Sequence, residues 1–267
     1  MSDLDIVVLI KQVPEMEKVK FDVEKGRLDR SSAGVEVNPF DLNALEQAVR
    51  IKEDNGGKVT AMSMGPSRAE SALREALARG ADRAILISDR AFAGADTWAT
   101  SLTLSTAIKK LDGFDLIICG EKTVDSDTGQ VGPAVAEFLK IPHVAYVTEV
   151  KSADGDGLTV AQDIWGGIYL KELKFPGLIT VTKDINEPRL PTLQDKLKSR
   201  RATIEVWNMS KFADVLEPED VGLCGSPTRL RAVEDIIPQS KECEMLEGDT
   251  SEAVEKLVSG LKTLEIV

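Results

Sequence analysis

The chain has 267 residues, of which 42% are hydrophobic, and a net charge of −12. This length allows one large α/β domain with an appendage or two small domains, and the hydrophobic content can fill a core. The negative charge argues against nucleic-acid binding, which needs a clustered positive surface. The apolar run near the N-terminus is too short for a signal sequence or a membrane span, so we expect a cytoplasmic protein without membrane insertion.

Cysteine and histidine usage argues against several kinds of catalytic site. Cys119, Cys224 and Cys243 show no CxxC spacing, which disfavours a disulfide framework and a zinc or iron–sulfur site. His143 is the single histidine, so a Ser-His-Asp triad or a histidine-rich metal centre is hard to build. We therefore expect neither a catalytic side chain nor a metal in this chain, and we interpret His143 as structural.

Short apolar runs alternate with amphipathic stretches over the first 140 residues. Strands are predicted at residues 5–10, 58–64, 83–88 and 115–119, and helices at 41–54, 67–80, 96–110 and 130–139. Ser67 and Glu70 have the S-x-x-E spacing of a capping box. The alternation predicts an α/β fold with a doubly wound parallel sheet. In such a sheet, ligands bind at the carboxyl ends of the strands, where the strand order reverses.

The pattern changes after residue 143. Further apolar runs lie at residues 144–150, 158–163, 168–173 and 178–182. Together with the hairpin signal DGDG at 154–157, they predict an antiparallel extension of the sheet. From about residue 199 the chain has fewer apolar runs, more charges and more prolines. We therefore expect an α/β domain over 1–198 and a C-terminal arm over 199–267 that packs on another chain.

The loop after the fourth predicted strand carries the strongest binding signal. It runs from Gly120 to Pro133 and leads into a helix, whose free N–H groups and positive dipole end suit phosphate. Its glycines allow close approach of the backbone to a ligand. We expect Asp125 and Asp127 to orient the loop or bind ribose hydroxyls, and Thr128 and backbone amides to face phosphates. The loop is neither GxGxxG nor a P-loop, and an ordinary turn is the alternative.

A second helix start supports a binding function. After the third predicted strand, Asp96 precedes the hydroxyls of Thr97, Thr100 and Ser101. Simple capping by Asp96 is the alternative, but capping needs only one side chain, whereas three hydroxyls suit a second phosphate-facing helix end. We therefore predict that this turn and the turn near Gln130 converge on the diphosphate of one dinucleotide.

Several motifs, in this order, resemble the beta subunit of electron-transfer flavoproteins over nearly the whole chain. They are VVLIKQVPE at 7–15, NPFDLNALEQAVRIKE at 38–53, SMGP at 63–66, ALARGADRAILISD at 76–89, VDSDTGQVGP at 124–133 and INEPRLPTL at 185–193. The resemblance implies an adenine-nucleotide-binding domain over 1–198, in which adenine and ribose lie against Leu9, Asn38, Asp41 and Met64. It implies phosphate contacts from Gly120, Asp125, Asp127, Thr128, Gln130, Val131, Gly132 and Pro133.

Two nucleotides occupy this site within the family that the chain resembles. Respiratory-type members keep a structural AMP. Electron-bifurcating members, mostly from anaerobes, hold FAD, which takes a hydride from NADH and splits the electron pair between two acceptors. The turn with Asp96, Thr97 and Thr100 is similar to the bifurcating type and favours FAD. The run Glu121-Lys122-Thr123 departs from the usual arginine-glutamine-alanine run at this position.

The resemblance also implies partners. They are an alpha subunit with a second FAD in a heterodimer, an FAD-dependent dehydrogenase for an acyl-CoA or a hydroxy acid, and ferredoxin or flavodoxin. Leu193, at the start of a short basic helix, would dock on the dehydrogenase; packing of Leu193 into the core is the alternative. A non-bifurcating carrier subunit with structural AMP is the alternative function, and a nucleotide hydrolase or sensor on the same α/β plan is a third.

Overall fold

The computed structural model describes residues 3–15, 20–22, 27–29, 34–229 and 245–266, which fall into two compact units, Met1–Arg231 and Ala232–Val267. The strands of the first unit are β1 (Leu4–Leu9), β2 (Gln12–Pro14), β3 (Lys20–Asp22), β4 (Arg27–Asp29), β5 (Val35–Val37), β6 (Gly57–Met64), β7 (Arg83–Ile87), β8 (Leu116–Gly120), β9 (His143–Ala153), β10 (Gly157–Ile164), β11 (Gly167–Lys174), β12 (Gly177–Val181) and β13 (Glu205–Trp207). Its helices are α1 (Pro39–Asn55), α2 (Glu70–Ala78), α3 (Thr97–Lys109), α4 (Val131–Leu139) and α5 (Leu193–Arg201), and the second unit contains α6 (Thr250–Thr263).

One sheet organises the first unit. Its nine described strands have the order β11-β10-β9-β12-β8-β1-β6-β7-β13. The strands from β9 to β13 in this order are parallel, whereas β10 and β11 are antiparallel to their neighbours. Apolar side chains of α1 and α2 cover one face, and those of α3 and α4 cover the other. The doubly wound parallel sheet and its antiparallel extension are therefore confirmed.

Two predictions of local structure are wrong. The apolar run at 178–182 was assigned to the antiparallel extension, but β12 lies between β8 and β9 and is parallel to both. All five residues of β12 are buried, as is typical of a strand covered by helices on both faces. The capping box predicted at Ser67 and Glu70 does not form, since Ser67–Ala69 form a 3₁₀ turn and α2 begins only at Glu70 without a side-chain cap.

The first unit continues past residue 198. Strand β13 pairs with β7 at the edge of the sheet, and the side chains of Phe212 and Val221 are fully buried. The first unit thus ends at Arg231, whereas the sequence predicts a boundary after residue 198. The difference arises because a three-residue strand and isolated apolar residues give little periodic signal in the sequence. In the second unit, α6 exposes Val254, Leu257 and Val258 along one side. No helix in the described part of the chain is both long and apolar enough to span a membrane.

Candidate functional site

The strand order reverses between β1 and β8. From β1 the chain adds β6 and then β7 on one side, whereas β8 and β12 lie on the other side. Leu9, Met64 and Gly120 end their strands at the shared carboxyl edge. This edge is where open parallel sheets bind ligands, and the family resemblance implies that all three residues belong to the nucleotide site.

Asp41, in the first turn of α1, bridges the ends of β1 and β8. Its carboxylate accepts hydrogen bonds from the backbone N–H of Lys11 at 2.8 Å and of Gly120 at 3.2 Å. Burial raises the pKa of this carboxyl to about 7, although the hydrogen bonds from Lys11, Asn38 and Gly120 act to lower it. A Cβ atom at position 120 would lie 2.6 Å from Oδ1 of Asp41. The close approach of the two elements therefore requires glycine at position 120.

Asn38 attaches the loop that follows β8 to the start of α1. Its side chain is fully buried, donates to the carbonyl of Lys122 at 2.9 Å and accepts from the N–H of Val124 at 3.2 Å. Sequence reasoning placed Asn38 and Asp41 against adenine and ribose. The structure gives both side chains hydrogen bonds to protein backbone, so they shape the edge to which the sequence assigns the nucleotide.

Lys11 is a member of the site that sequence reasoning missed. Its ammonium contacts both carboxylate oxygens of Asp125 at 2.8 Å. Burial acts to raise the pKa of Asp125, but hydrogen bonds from Lys11, Thr123 and Ser126 outweigh burial and lower it. The sequence indicates a role for Lys11 only through its position, since this cation follows the end of β1 by two residues and β1 ends at the carboxyl edge of the sheet.

Asp127 lies at the exposed tip of the loop. Its backbone is left-handed, with φ of 54°, and its N–H donates to the carbonyl of Thr123 at 2.8 Å. The carboxylate pairs with Lys122 at 2.9 Å, and this contact raises the pKa of Lys122. Thr128 next to it is exposed. Aspartate tolerates the left-handed region better than most residues do, which suits this position in a tight turn.

The two helix starts converge, as the sequence predicts. The hydroxyl of Thr97 at the start of α3 donates to the side-chain oxygen of Gln130, which precedes α4, at 2.9 Å. One turn further along α3, Ser101 lies 3.4 Å from the carbonyl of Val131. Thr100, also in this part of α3, is half-buried. Contact of these turns with a diphosphate stays a prediction.

The two helix starts differ in how their N–H groups are used. Asp96 caps α3 by accepting from the N–H groups of Trp98 and Ala99, and it also accepts from the N–H and hydroxyl of Thr228. Asp96 therefore performs the capping role that the sequence left open. Within the described residues, no side chain caps α4. The first turn of α4 thus keeps N–H donors that an anion could use.

Gly132 allows α4 to pack closely on the sheet. A Cβ atom there would lie 2.6 Å from Cγ2 of Thr180 and 2.8 Å from Sγ of Cys119. Burial raises the pKa of the Cys119 thiol well above its usual range, which fits the predicted role of a small buried apolar residue. Pro133 follows within the first turn, where it costs no intrahelical hydrogen bond.

The predicted docking residue belongs to a different part of the first unit. Leu193 is the first residue of α5, and its side chain is 75% exposed. It therefore does not pack into the core of this chain, as the alternative required. Contact of Leu193 with a dehydrogenase stays a prediction.

Comparison with known proteins places this geometry in context. Residues 26–211 match the model of the electron transfer flavoprotein domain. The chain is similar to the electron transfer flavoprotein subunit beta of Thermoanaerobacterium thermosaccharolyticum, with 43% identity over 99% of this chain and 100% of that protein. The subunit beta of Megasphaera elsdenii is 44% identical over 86% of this chain and 87% of that protein. The caffeyl-CoA reductase-Etf complex subunit CarD of Acetobacterium woodii is 41% identical over 98% and 99%.

Proposed function

Since this chain belongs to the electron transfer flavoprotein family as a beta subunit, we propose that the edge between β1 and β8 binds FAD in a heterodimer with the alpha subunit. The chemistry that FAD supplies in such a complex is acceptance of a hydride from NADH and release of single electrons, to ferredoxin or flavodoxin and, through the alpha-subunit FAD, to a dehydrogenase. The side chains of this chain bind and orient the nucleotide and set its electrostatic surroundings.

The contact between Thr97 and Gln130 is the observation that carries the proposal. It holds the first turns of α3 and α4 side by side at 2.9 Å between the two side chains. The N-terminus of one helix is enough to bind a single phosphate, whereas the two phosphates of a diphosphate can each contact a different helix N-terminus. With the amide of Gln130 reversed so that it donates to Thr97, the hydroxyls of Thr97 and Thr100 would then donate to the second phosphate and favour a dinucleotide over AMP.

The charges at this edge are compatible with an anionic ligand. Lys11 pairs with Asp125 and Lys122 pairs with Asp127, so these four side chains together add no net negative charge beside the proposed diphosphate. The proposed contacts come from Leu9, Asn38, Asp41, Met64, Asp96, Thr97, Thr100, Gly120, Asp125, Asp127, Thr128, Gln130, Val131, Gly132 and Pro133. Asn38, Asp41 and Asp96 act in this proposal mainly by holding the loop and the helix starts in place.

Structural AMP is the second candidate ligand. The loop and the uncapped start of α4 would be enough for its single phosphate, and Thr97 and Thr100 would then have no ligand role. Extraction of nucleotides from the purified heterodimer separates the two candidates. Two FAD per heterodimer are expected; one FAD and one AMP would refute the FAD proposal and leave a non-bifurcating carrier. A variant of Asp214, whose exposed carboxylate pairs with Lys110 at 2.7 Å, serves as the control and should keep both nucleotides.

The partners form the last part of the proposal. The exposed Leu193 supports docking of a dehydrogenase, and the relative from Acetobacterium woodii is by its name a subunit of a caffeyl-CoA reductase complex. An acyl-CoA dehydrogenase is therefore the favoured partner, with a hydroxy-acid dehydrogenase as the alternative. The exposed apolar side of α6 supports packing of the C-terminal arm on the alpha subunit. We place the complex in the cytoplasm.

A further inference from the structure

Residues 186–201, here called the docking segment, lie on α1 and α2 with little apolar burial of their own. Of the nine described residues of α5, only Ser199 is buried. Leu190, Leu193 and Leu197 are 84%, 75% and 48% exposed. Because apolar contacts within the chain do not fix this segment, its position depends on polar contacts.

Arg189 makes the densest set of these contacts. Its guanidinium lies between two carboxylates of α1, with Nε 2.7 Å from Oε2 of Glu46 and Nη1 2.6 Å from Oε1 of Glu53. Nη2 reaches both carboxylates, at 3.3 Å and 2.9 Å. The backbone N–H of Arg189 also donates to Glu46 at 3.1 Å. Glu46 and Glu53 are two helical turns apart and share one face of α1. We call these three residues the Arg189 clamp.

The clamp is electrostatically balanced. Glu46 is only 4% exposed, and Arg50 provides it with a second cation at 2.6 Å. Burial acts to raise the pKa of Glu46, but the hydrogen bonds from Arg189 and Arg50 outweigh burial and lower it. Two carboxylates and two guanidinium groups therefore form a charge-assisted network, and such bonds are stronger and more directional than neutral ones.

Both ends of the docking segment have further anchors. At its start, the side-chain amides of Asn43 and Asn186 each donate to the other residue's backbone carbonyl, at 2.7 Å and 3.1 Å. At its end, Arg74 of α2 donates to the carbonyls of Ser199 at 2.7 Å and of Arg200 at 3.1 Å, which caps the C-terminus of α5. Leu193 lies between these anchors, four residues after Arg189.

We infer that Arg189 is a positioning residue for partner docking: the Arg189 clamp holds the backbone of the docking segment so that Leu193 and Leu197 are presented to the dehydrogenase in one fixed arrangement. This inference rests on the proposed docking role of Leu193. A segment that is ordered before binding does not lose that conformational freedom on association, and the affinity rises accordingly. The side chains of the clamp need not touch the partner for this effect.

The test uses the heterodimer with both cofactors and a purified short-chain acyl-CoA dehydrogenase that accepts electrons from it. Arg189→Gln should raise the KM for the heterodimer about 10-fold and leave kcat within about 2-fold, because weakened binding with unchanged chemistry acts on KM. Amide hydrogen exchange over residues 190–198 should become faster, while nucleotide content stays unchanged. Arg189→Lys, which keeps the charge but loses the planar fork, should recover part of the KM.

Two further variants keep the test decisive. Glu53→Gln removes the more exposed half of the clamp and should raise KM about 3-fold even if Arg189→Gln folds poorly. Arg83→Gln is the matched control, since Arg83 makes a similar two-bond pair with Glu205 at 2.6 Å and 2.9 Å; its KM should stay unchanged.

The outcomes separate the positioning role of Arg189 from the docking role of Leu193. If Leu193→Ala raises KM but Arg189→Gln and Glu53→Gln do not, the positioning role is wrong and docking through Leu193 stands. If Leu193→Ala has the same KM as the wild type, both the docking role of Leu193 and the positioning role of Arg189 are wrong.

Discussion

The hydroxyl of Thr97 donates a hydrogen bond of 2.9 Å to the side-chain oxygen of Gln130, and this contact joins the first turns of α3 and α4. The two helices also meet through the rings of Trp98 and Phe138, edge to face with 4.9 Å between centroids. The two helix starts are therefore held together, as the proposed binding of one diphosphate requires.

Thr97→Val should therefore weaken the binding of FAD to the heterodimer about 10-fold, because one hydrogen bond to a charged group is worth about 1.5 kcal/mol. Valine has nearly the shape of threonine and lacks only the hydroxyl. Thr97→Ser keeps the hydroxyl and should bind like the wild type. The dissociation constant is measurable by titration of FAD into heterodimer depleted of the beta-site nucleotide. Equal affinities for the threonine and valine proteins would contradict a phosphate contact here.

Lys11→Met should lower the affinity for FAD about 10-fold as well, since it leaves the carboxylate of Asp125 without its cation beside the proposed diphosphate. Hydrogen bonds from Lys11 lower the pKa of Asp125 in the wild type, against the effect of burial. The resulting stability is present above the unfolded pKa of Asp125 and is lost as pH falls through the folded value. The double variant Lys11→Met, Asp125→Asn should bind FAD better than Lys11→Met alone. If the two variants bind alike, the pair has no electrostatic role in the site.

Asp41 should titrate near neutral pH, because burial raises its pKa to about 7. A folded-state pKa above the unfolded value means that the folded chain binds more protons between these two values. The contribution of Asp41 to stability is therefore greatest at low pH and is lost as pH rises through about 7, by roughly 2.5 kcal/mol between pH 5 and pH 8. Infrared spectra should show a protonated-carboxyl band at pH 5.5 that disappears at pH 8.5. The band should be missing from Asp41→Asn at both values; its persistence there would assign it to another residue.

Gly132→Ala should destabilise the beta subunit by about 1–3 kcal/mol through overpacking. The added methyl group would lie 2.6 Å from Cγ2 of Thr180, which is fixed on β12. Thr180→Ser removes that methyl group and retains the hydroxyl that accepts from the N–H of Tyr146 at 3.1 Å. Thermal unfolding should thus show a lower midpoint for Gly132→Ala and partial recovery when Thr180→Ser is added. No recovery would mean that α4 moves for another reason.

Leu193→Ala should raise the KM for the dehydrogenase about 30-fold, the effect of losing roughly 2 kcal/mol at an interface hot spot. The flavin content should not change, because Leu193 makes no contribution to the core. Val215→Ala is the control, since Val215 is also an exposed aliphatic residue, at 59%. Steady-state kinetics with varied heterodimer concentration measures the effect. Equal losses in both variants would argue against a specific docking contact.

The main elements were predictable because their signals are local. Continuous apolar runs in β1 and β8 indicate strands buried on both faces, and Asp96 before Thr97 indicates a capped helix start. The convergence of two helix starts then follows from the rule that parallel sheets bind ligands at their carboxyl edge. Residue patterns within a few positions of each other were enough for these features.

The remaining features depend on tertiary neighbours that are distant in sequence. Lys11 meets Asp125 across 114 positions, and Arg189 meets Glu46 across 143. The three-residue strands β2, β5 and β13 are too short for periodicity to reveal. The parallel direction of β12 could not be read from its composition, since a short buried run fits either direction. Charge pairs between distant residues and strands of three residues can be located only when the three-dimensional fold is known.

Helix α1 carries Asp41 in its first turn, at the proposed nucleotide edge, and Glu53 twelve residues later, about 18 Å along its axis at 1.5 Å per residue. One end of this helix thus organises the proposed nucleotide site, and the other holds the docking segment. A redox partner docked at Leu193, as proposed, would be kept at a constant offset from the proposed nucleotide. We therefore expect that any shortening of the electron-transfer distance during turnover arises from movement of the alpha subunit, with the beta subunit serving as the stationary reference.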